Sequence, residues 1–516
     1  MNHAASPLYE QVAEAIARHI QSGALGPGER VPSLRRLSVQ HGVSVSTAVE
    51  AYLSLENRGL IEARPKSGFY VRPRTGLHPP EPLLSRPGFA ASKVSLGELR
   101  ARLFRLSGEQ DIVPLGTATP SAELLPVAQL NRTLGAAARR AGTAAIDYSP
   151  PPGCEPLRRQ LSRRSLDWGC QLAPEEFITT SGAMEAIFLC LRATAKRGDV
   201  VALESPTYFG ILEAVETLGL RVIQVPMHPQ HGMDLDHLEA AIGRQRIAAV
   251  LAIPSFNNPL GSCMPDANRE RLVLLLARHE VPLIEDDIYG DLAFPPAGRP
   301  RVAKRFDRRG LVLLCGSVSK TLAPGWRVGW VAPGERYYKT ILQLKISSTL
   351  ATASAPQFAV AEFLRDGGYD RHLRALRRAY AEQVRRMAQA VVEAFPPGIR
   401  ISRPQGNFVL WVELPKGADA MELHRRALEE RISVAPGPMF SAKGRQFARF
   451  IRLNCGAPWS TRIERGVAVL GHLVGQIIRE GAGAARRRTF GRGACPQAPG
   501  ERSVSERTAA KRLEGT

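Results

Sequence analysis

The chain has 516 residues, enough for about three domains at roughly 150 residues each, with 44% hydrophobic and 23% charged residues, ordinary proportions for a globular protein. Lys and Arg total 69 against 48 Asp and Glu, and the resulting net charge of +21 favours polyanionic partners. No apolar run approaches the ~18–20 residues of a membrane span, Met1–Glu10 lacks the basic and apolar regions of a signal peptide, and seven scattered cysteines exclude a disulfide framework and point to a reducing cytoplasm.

The charge is spread unevenly, +3 in residues 1–76, +5 in residues 481–516 and +13 between them, and so broad a field does not locate a site by itself. Leu8–Ser22 carries Val12, Ile16 and Ile20 at four-residue spacing, one apolar face of a helix that Gly23 ends. Pro27-Gly28 turns the chain, and Ser33 is placed to cap a second helix, Leu34–Gln40, stopped by Gly42. A third helix from about Ser44 to Asn57 turns Ala48, Tyr52 and Leu55 inward, and Gly59 closes it. Two short helices across a tight glycine turn make a helix-turn-helix. Leu60–Arg64 and Phe69–Arg72, joined by Pro65-Lys66-Ser67-Gly68, add a hairpin wing and complete a unit at 1–73. Residues 74–95, with Pro79, Pro80, Pro82 and Pro87, read as an extended, semi-stiff linker to a large domain at 96–480. Residues 481–516 have no apolar periodicity and read as a basic, disordered tail.

Pro7-Leu8-Tyr9, Gly23-Ala24-Leu25 with Pro27-Gly28, Val31-Pro32-Ser33-Leu34-Arg35, Gly42-Val43-Ser44 and Arg64-Pro65-Lys66-Ser67-Gly68-Phe69-Tyr70-Val71 resemble the winged helix-turn-helix of the GntR family of bacterial regulators, over nearly all of residues 7–71. The resemblance implies that Arg35 touches double-stranded DNA, that the third helix enters the major groove and that the wing, with Lys66, reaches the minor groove. Ser44, Ser46 and Thr47, short hydroxyl side chains at a helix N-terminus, suit phosphates and base edges. Val45 departs from the family, which often has Arg there, so no base contact is carried over at that position. A protein-binding module of the same shape is the alternative.

In the large domain Val200–Leu203, Ala248–Ile253, Leu283–Glu285 and Leu311–Leu314 are nearly continuous apolar runs, strands buried on both faces as in a parallel α/β sheet. Ile178–Thr180 ends at Ser181-Gly182-Ala183 before an amphipathic helix through Leu191, and small residues there let N–H groups at the helix's positive end cradle a phosphate. Polar groups follow the buried strands: Glu204-Ser205-Pro206-Thr207-Tyr208, Asn257-Asn258-Pro259-Leu260-Gly261, Glu285-Asp286-Asp287-Ile288-Tyr289 and Ser317-Val318-Ser319-Lys320. Open α/β sheets place their ligands at such strand ends. Singly these are ordinary residues, since an Asp after a strand caps a helix and a Lys sits at the surface. Jointly, an aromatic face, an amide, a carboxylate and a lysine beside a phosphate cradle suit pyridoxal 5'-phosphate. The lysine bonds the aldehyde, the carboxylate keeps the pyridine nitrogen protonated, and the amide and a tyrosine hold the phenolic oxygen.

In this order the residues resemble the fold-type I, class I/II aminotransferases over roughly residues 110–475. The resemblance implies an α/β fold, a mostly parallel sheet between helices with a small C-terminal α+β subdomain. It makes Lys320 the lysine that bonds the cofactor, Asp286 the partner of the pyridine nitrogen and Tyr208 the stacking ring, these three being the catalytic set. Asn258 and Tyr289 bind the ring oxygen, and the phosphate lies on the Gly182, Ala183 and Met184 backbone with Ser317, Ser319 and Arg327. Tyr148, in Tyr148-Ser149-Pro150, reaches the phosphate of the other subunit. Arg452 grips a substrate α-carboxylate, a role its planar fork suits, and Asn407 lies where the fold often contacts substrate. No metal site is expected. A GntR-type winged helix joined to such a domain is the arrangement of the MocR subfamily of transcriptional regulators. That implies a cytoplasmic, homodimeric DNA-binding regulator in which the cofactor, or an amine or amino acid captured by it, is the signal. A working aminotransferase with an accessory DNA-binding domain stays open, since Lys320, Asp286 and Arg452 are all present. A scaffold that binds no cofactor is poorly supported, because no key position is lost.

Overall fold

The computed structural model describes residues 7–21, 25, 29–57, 59–64, 67–71, 79–94, 111–444 and 446–490. The chain divides into two compact units, Met1–His78 and Pro79–Thr516. In the first, α1 (Leu8–Gln21), α2 (Leu34–His41) and α3 (Val45–Asn57) precede an antiparallel hairpin of β1 (Ile61–Arg64) and β2 (Gly68–Val71). The residues expected inside are inside: Val12, Ile16, Ile20, Ala48, Tyr52 and Leu55 share one buried cluster with Leu37. Ser33 Oγ accepts the Arg36 N–H at 3.3 Å, and Gly42, at φ 61°, ends α2 by donating to the Ser38 and Val39 carbonyls. The Tyr52 hydroxyl donates to the Pro32 carbonyl at 2.5 Å, and its ring meets Phe69 edge-on at 4.9 Å, so α3 is pinned to both the start of α2 and the wing. One pairing has no signature in the sequence. Residues 29–31 lie along β2, the Val31 N–H donating to Phe69 O at 3.0 Å and the Val71 N–H to Glu29 O at 2.8 Å.

The second unit continues in chain order with β3 (Val113–Pro114), α4 (Val127–Ala141), α5 (Glu155–Ser165), β4 (Ile178–Thr180), α6 (Ala183–Thr194), β5 (Val200–Ser205), α7 (Phe209–Thr217), β6 (Arg221–His228) and β7 (Gly232–Met233). Next come α8 (Leu235–Arg244), β8 (Ala249–Ala252), α9 (Asp266–Arg278), β9 (Leu283–Asp286), β10 (Val312–Ser317), β11 (Gly329–Ala332), α10 (Glu335–Thr349), α11 (Ser354–Arg365) and α12 (Gly368–Ala394). Then follow β12 (Arg400–Ile401), β13 (Val409–Glu413), α13 (Ala420–Glu429), β14 (Ile432–Ser433), β15 (Ala435–Pro436), β16 (Phe450–Asn454) and α14 (Thr461–Phe490).

Eight strands form one sheet in the order β4-β11-β10-β9-β8-β5-β6-β7. The four central pairs, from β10 to β6, are parallel, and β11 runs antiparallel to both its neighbours. Every residue of β5, β8, β9 and β10 is buried. Alternation along the strands explains this: Ile284 and Cys315 pack with Ile187 and Leu191 of α6 on one face, while Leu283 and Val312 pack with Leu238 of α8 and Leu272 of α9 on the other. Toward the C-terminus β12-β13-β16-β15 make a smaller antiparallel sheet. Among the described residues no helix is long and apolar enough to cross a membrane.

Two stretches differ from their composition. Residues 79–94 are extended, as proline favours, but they are bound along the second unit rather than free. The Leu83 N–H donates to Glu413 Oε2 at 2.9 Å, the Ser85 hydroxyl donates to the Ser205 carbonyl at 2.8 Å, and Ser92 exchanges two 2.9 Å backbone bonds with Val222 on β6. Phe89 stacks on His237 at 4.3 Å, with the Arg244 guanidinium 3.8 Å from its centre. At the other end α14 runs ten residues past Glu480, to Phe490. The stretch has no apolar face, but Ala and Arg are strong helix formers and extend a helix already nucleated. Residues 491–516 lie outside the described residues.

Leu37 is 1% exposed at the centre of the small core of the first unit. Leu37→Ala should cost that unit about 3 kcal/mol, read by calorimetry as a lower transition for the first unit with the transition of the second unmoved.

Candidate functional site

Chemistry gathers at the carboxyl ends of β5, β8, β9 and β10, around a cavity of about 380 Å³. β9 ends in Glu285-Asp286, and Asp287 follows. Alternation sends Glu285 away from the cavity, where Arg269 Nη1 lies 3.9 Å off and the Ala303 and Lys304 N–H groups donate at 2.7 and 2.9 Å. Asp287 pairs with Arg299. Asp286 faces the cavity and accepts the Ile288 N–H at 3.2 Å. Burial pushes its carboxyl up to about 7; the Asp287 and Glu285 charges add to the shift and Lys320 opposes it.

Past β10 the Ser317 hydroxyl donates to the Val328 carbonyl at 2.8 Å and accepts the Ser319 N–H at 3.1 Å. The turn so closed presents Lys320, whose Nζ donates to the Ala118 carbonyl at 2.7 Å. Burial pulls the Lys320 amine down to about 8, helped by the positive charges of Arg452 and Arg327 and opposed by Asp286. Tyr208 and Tyr289 line the same cavity, and burial pushes the Tyr208 phenol up to about 12.

The cradle is the N-terminus of α6. A Cβ at Gly182, which sits at φ 85°, would press on the Arg327 guanidinium, and one at Gly329 would lie 2.6 Å from the Gly182 backbone. Two glycines therefore let α6, β11 and Arg327 close around one point. Arg327 is tied there through Ser319 Oγ at 3.3 Å and the Ser181 carbonyl at 3.0 Å. The Ala183 and Met184 side of the helix end, where backbone N–H groups are unspent and the dipole is positive, lines the cavity.

Arg452, on β16, is 0% exposed. It donates to the Gly116 carbonyl and reaches Asn258 Oδ1 at 3.5 Å, while its Nε is buried without a partner. It pairs with no carboxylate among the described residues, and burial pulls it down to about 10. A buried guanidinium with an unspent N–H is a receptor for an anion.

These observations meet the requirements of pyridoxal phosphate. A glycine cradle with Arg327 and Ser319 suits a phosphate, and the Asn258 amide hydrogen-bonded beside Tyr289 suits the ring oxygen. Asp286 stands without a direct cation for a pyridine nitrogen, and Lys320 has a softened amine for an aldehyde. The expected Asn407 does not line the cavity, nor do Asn258, Arg452, Gly182 and Ser317. Asn407 Nδ2 donates to Phe256 O at 2.9 Å and its Oδ1 accepts the Phe408 N–H at 2.7 Å, beside a backbone at φ 71°, so each end of the amide has a backbone partner. Tyr148 is 73% exposed and lies outside the cavity of its own chain. Thr117, Ala118, Thr119 and Ile253 line it without having been foreseen. The signal for the first three was present: Gly116-Thr117-Ala118-Thr119 is a run of small residues after a strand, as at 181–183.

In the first unit Arg35, Ser44 and Ser46 are exposed and Thr47 is half-buried. Ser44 Oγ accepts the Thr47 N–H at 3.1 Å and meets the Ser46 and Thr47 hydroxyls at 2.7 and 2.8 Å, so it caps α3 and gathers the three hydroxyls at one end. Lys66 lies outside the described residues.

Residues 111–470 match the family aminotransferase class I and II, and residues 8–71 match bacterial regulatory proteins of the gntR family. Two uncharacterized HTH-type transcriptional regulators of Escherichia coli (strain K12) are similar along both units. YjiR is 36% identical over 468 residues and YdcR 38% over 466, each match covering 90% of this chain and 98% of the relative. Among solved structures, LysN, the alpha-aminoadipate aminotransferase from Thermus thermophilus, complexed with N-(5'-phosphopyridoxyl)-L-leucine, superposes with a TM-score of 0.67 at 30% identity, over 76% of this chain and 97% of that one.

Two outcomes follow from the geometry. Labelling of Lys320 by a small amine-directed reagent, read by peptide mass spectrometry, should rise with pH through a midpoint near 8, whereas exposed lysines should reach theirs only near about 10.4. Gly329→Ala, whose Cβ would press on the Gly182 backbone, should cost about 1–3 kcal/mol of stability. It should also weaken retention of a phosphate-bearing ligand, read by thermal unfolding and equilibrium dialysis.

Proposed function

We propose that this chain, which belongs to the class I and II aminotransferase family and has the MocR architecture of a gntR-family helix-turn-helix unit fused to that domain, is a pyridoxal-phosphate-dependent, DNA-binding transcriptional regulator. The large unit serves as the sensor and the small unit as the reader of DNA. The observation that carries this reading is that one chain holds both a full cofactor-type cavity and a winged helix with exposed Arg35, and is similar to helix-turn-helix regulators over nearly their whole length.

Lys320, Asp286, Tyr208, Asn258 and Tyr289 would hold the ring of the cofactor, and Gly182, Ala183, Met184, Ser317, Ser319 and Arg327 its phosphate. When bound, the cofactor supplies an electron-accepting ring that loosens bonds at the α-carbon of an amino acid. Asp286 would hold the proton of the pyridine nitrogen in place. Arg452 grips the α-carboxylate of an amino-acid effector, its unspent Nε–H giving the second prong of a bidentate contact. The Lys320 amine, neutral above about pH 8, can take a proton from that α-carbon. Tyr148, exposed on the single chain, is assigned to the phosphate of a second copy, so the working form is a cytoplasmic homodimer with an interface above about 2,000 Å².

A turning-over aminotransferase is the second reading, favoured by the coexistence of Lys320, Asp286 and Arg452. The two separate on mixing the cofactor-loaded protein with amino acids and a 2-keto acid. The regulator should give one equivalent of absorbance change per site and no sustained product, while steady product formation moves the assignment to the enzyme. In the same preparation Arg35→Ala should weaken salt-sensitive DNA binding and leave the cofactor absorbance intact.

A further inference from the structure

We propose that α3 reads thymine, with Val45 and Val49 forming an apolar contact for the 5-methyl groups of thymines in the major groove of a duplex half-site. The inference rests on the DNA-binding reading above and specifies its ligand. In a helix-turn-helix the second helix lies in the major groove with its N-terminal residues against base edges, and α3 holds that place. Its inward face is Ala48, Ala51, Tyr52 and Leu55, all fully buried. Its outward face carries Val45, Ser46, Val49, Glu50 and Leu53. Val45, Val49 and Leu53 are 49%, 37% and 50% exposed and follow one another at every fourth residue, so they form one stripe down that face.

Charge narrows what the stripe can meet. Helix α3 contains neither Lys nor Arg, and its ionisable carboxylates are Glu50 and Glu56. The commonest guanine contact, a cation donating to O6 and N7, is therefore closed to this helix. The thymine methyl is the apolar group that base pairs display in the major groove, and the branched methyls of valine match it. Exposed cations lie on α2 rather than in the stripe. Arg35 and Arg36 are exposed at the start of α2 and form no ion pair among the described residues. The Ser44 and Ser46 hydroxyls stand at the positive end of α3, where phosphate is favoured. Positioning thus comes from Arg35, Arg36 and the helix end, and specification from the valines. This arrangement of charge favours a polyanion over a protein partner for the stripe.

The test uses the full-length, cofactor-loaded protein to select duplexes from a random library, then remakes the enriched duplex with deoxyuridine in place of thymine, a change that deletes only methyl groups. Enriched half-sites should contain thymine. Wild-type affinity should fall about fourfold for each contacted methyl, the factor that burying one methyl corresponds to. The double variant Val45→Ser, Val49→Ser should bind the thymine and deoxyuridine duplexes equally, with its salt dependence and cofactor absorbance unchanged. Half-sites without thymine, or wild-type protein indifferent to the swap, would overturn the thymine assignment while DNA binding stands. No enrichment and no salt-sensitive binding would overturn both readings and leave the stripe to a protein partner.

Discussion

The site depends on a buried carboxyl that has no cation of its own. Three acidic residues in a row end β9, and the pleat of the strand separates their fates. Glu285 and Asp287 have arginines within ion-pair distance, Arg269 and Arg299, while Asp286 has one backbone N–H and the cavity. Both neighbouring charges raise the cost of ionising Asp286, so the two arginines that answer them also tune the site. Around this point the sheet order does the assembly. Adjacent strands β5, β8, β9 and β10 deliver Tyr208, the Ile253–Asn258 segment, Asp286 and Lys320 in turn, and they do so in the order the chain makes them.

Near these groups the fold leaves a buried cationic N–H unsatisfied. Arg452 Nε, whose charge is felt by Lys320 and Tyr208, is buried without a partner, and such a group costs about 1–3 kcal/mol. Glu204, pushed up to about 7 by burial, is the contrasting case. Its carboxyl accepts the Ile253 N–H at 2.9 Å and the Asn257 amide at 3.2 Å, tying the ends of β5 and β8 together behind the cavity. One carboxyl is spent on holding the walls, and the other is kept for what enters.

Much of this was legible because it is local. Each buried strand announces itself as an apolar run, and each polar cluster follows its own strand directly, so the order of motifs along the chain matches the order of groups around the cavity. What was not legible comes from pairings distant in sequence. Thr117–Thr119 follow β3, a two-residue strand whose partner is β14, and Val113 opposite Ile432 is a contact no local pattern reveals. Asn407 reads as a contact to substrate, but its amide bonds the Phe256 and Phe408 backbone where the chain turns at φ 71°. The edge formed by residues 29–31 exists only because β2 offers Phe69 and Val71 to pair with. The extension of α14 shows the limit of periodicity as a guide, since a helix already begun needs no apolar stripe to continue.

The bound segment at 79–94 has a consequence for association between chains. β7 pairs with β6 only at Met227 and His228, and on the rest of that outer edge Ser92 occupies the Val222 position with two backbone bonds. An uncovered edge on a largely apolar strand is a template for strand-to-strand aggregation. A truncated chain that begins at residue 96, where the composition changes, keeps every residue of the cavity yet bares this edge. One that begins at residue 79 keeps the edge capped, so the two truncations differ in self-association while sharing the same chemistry.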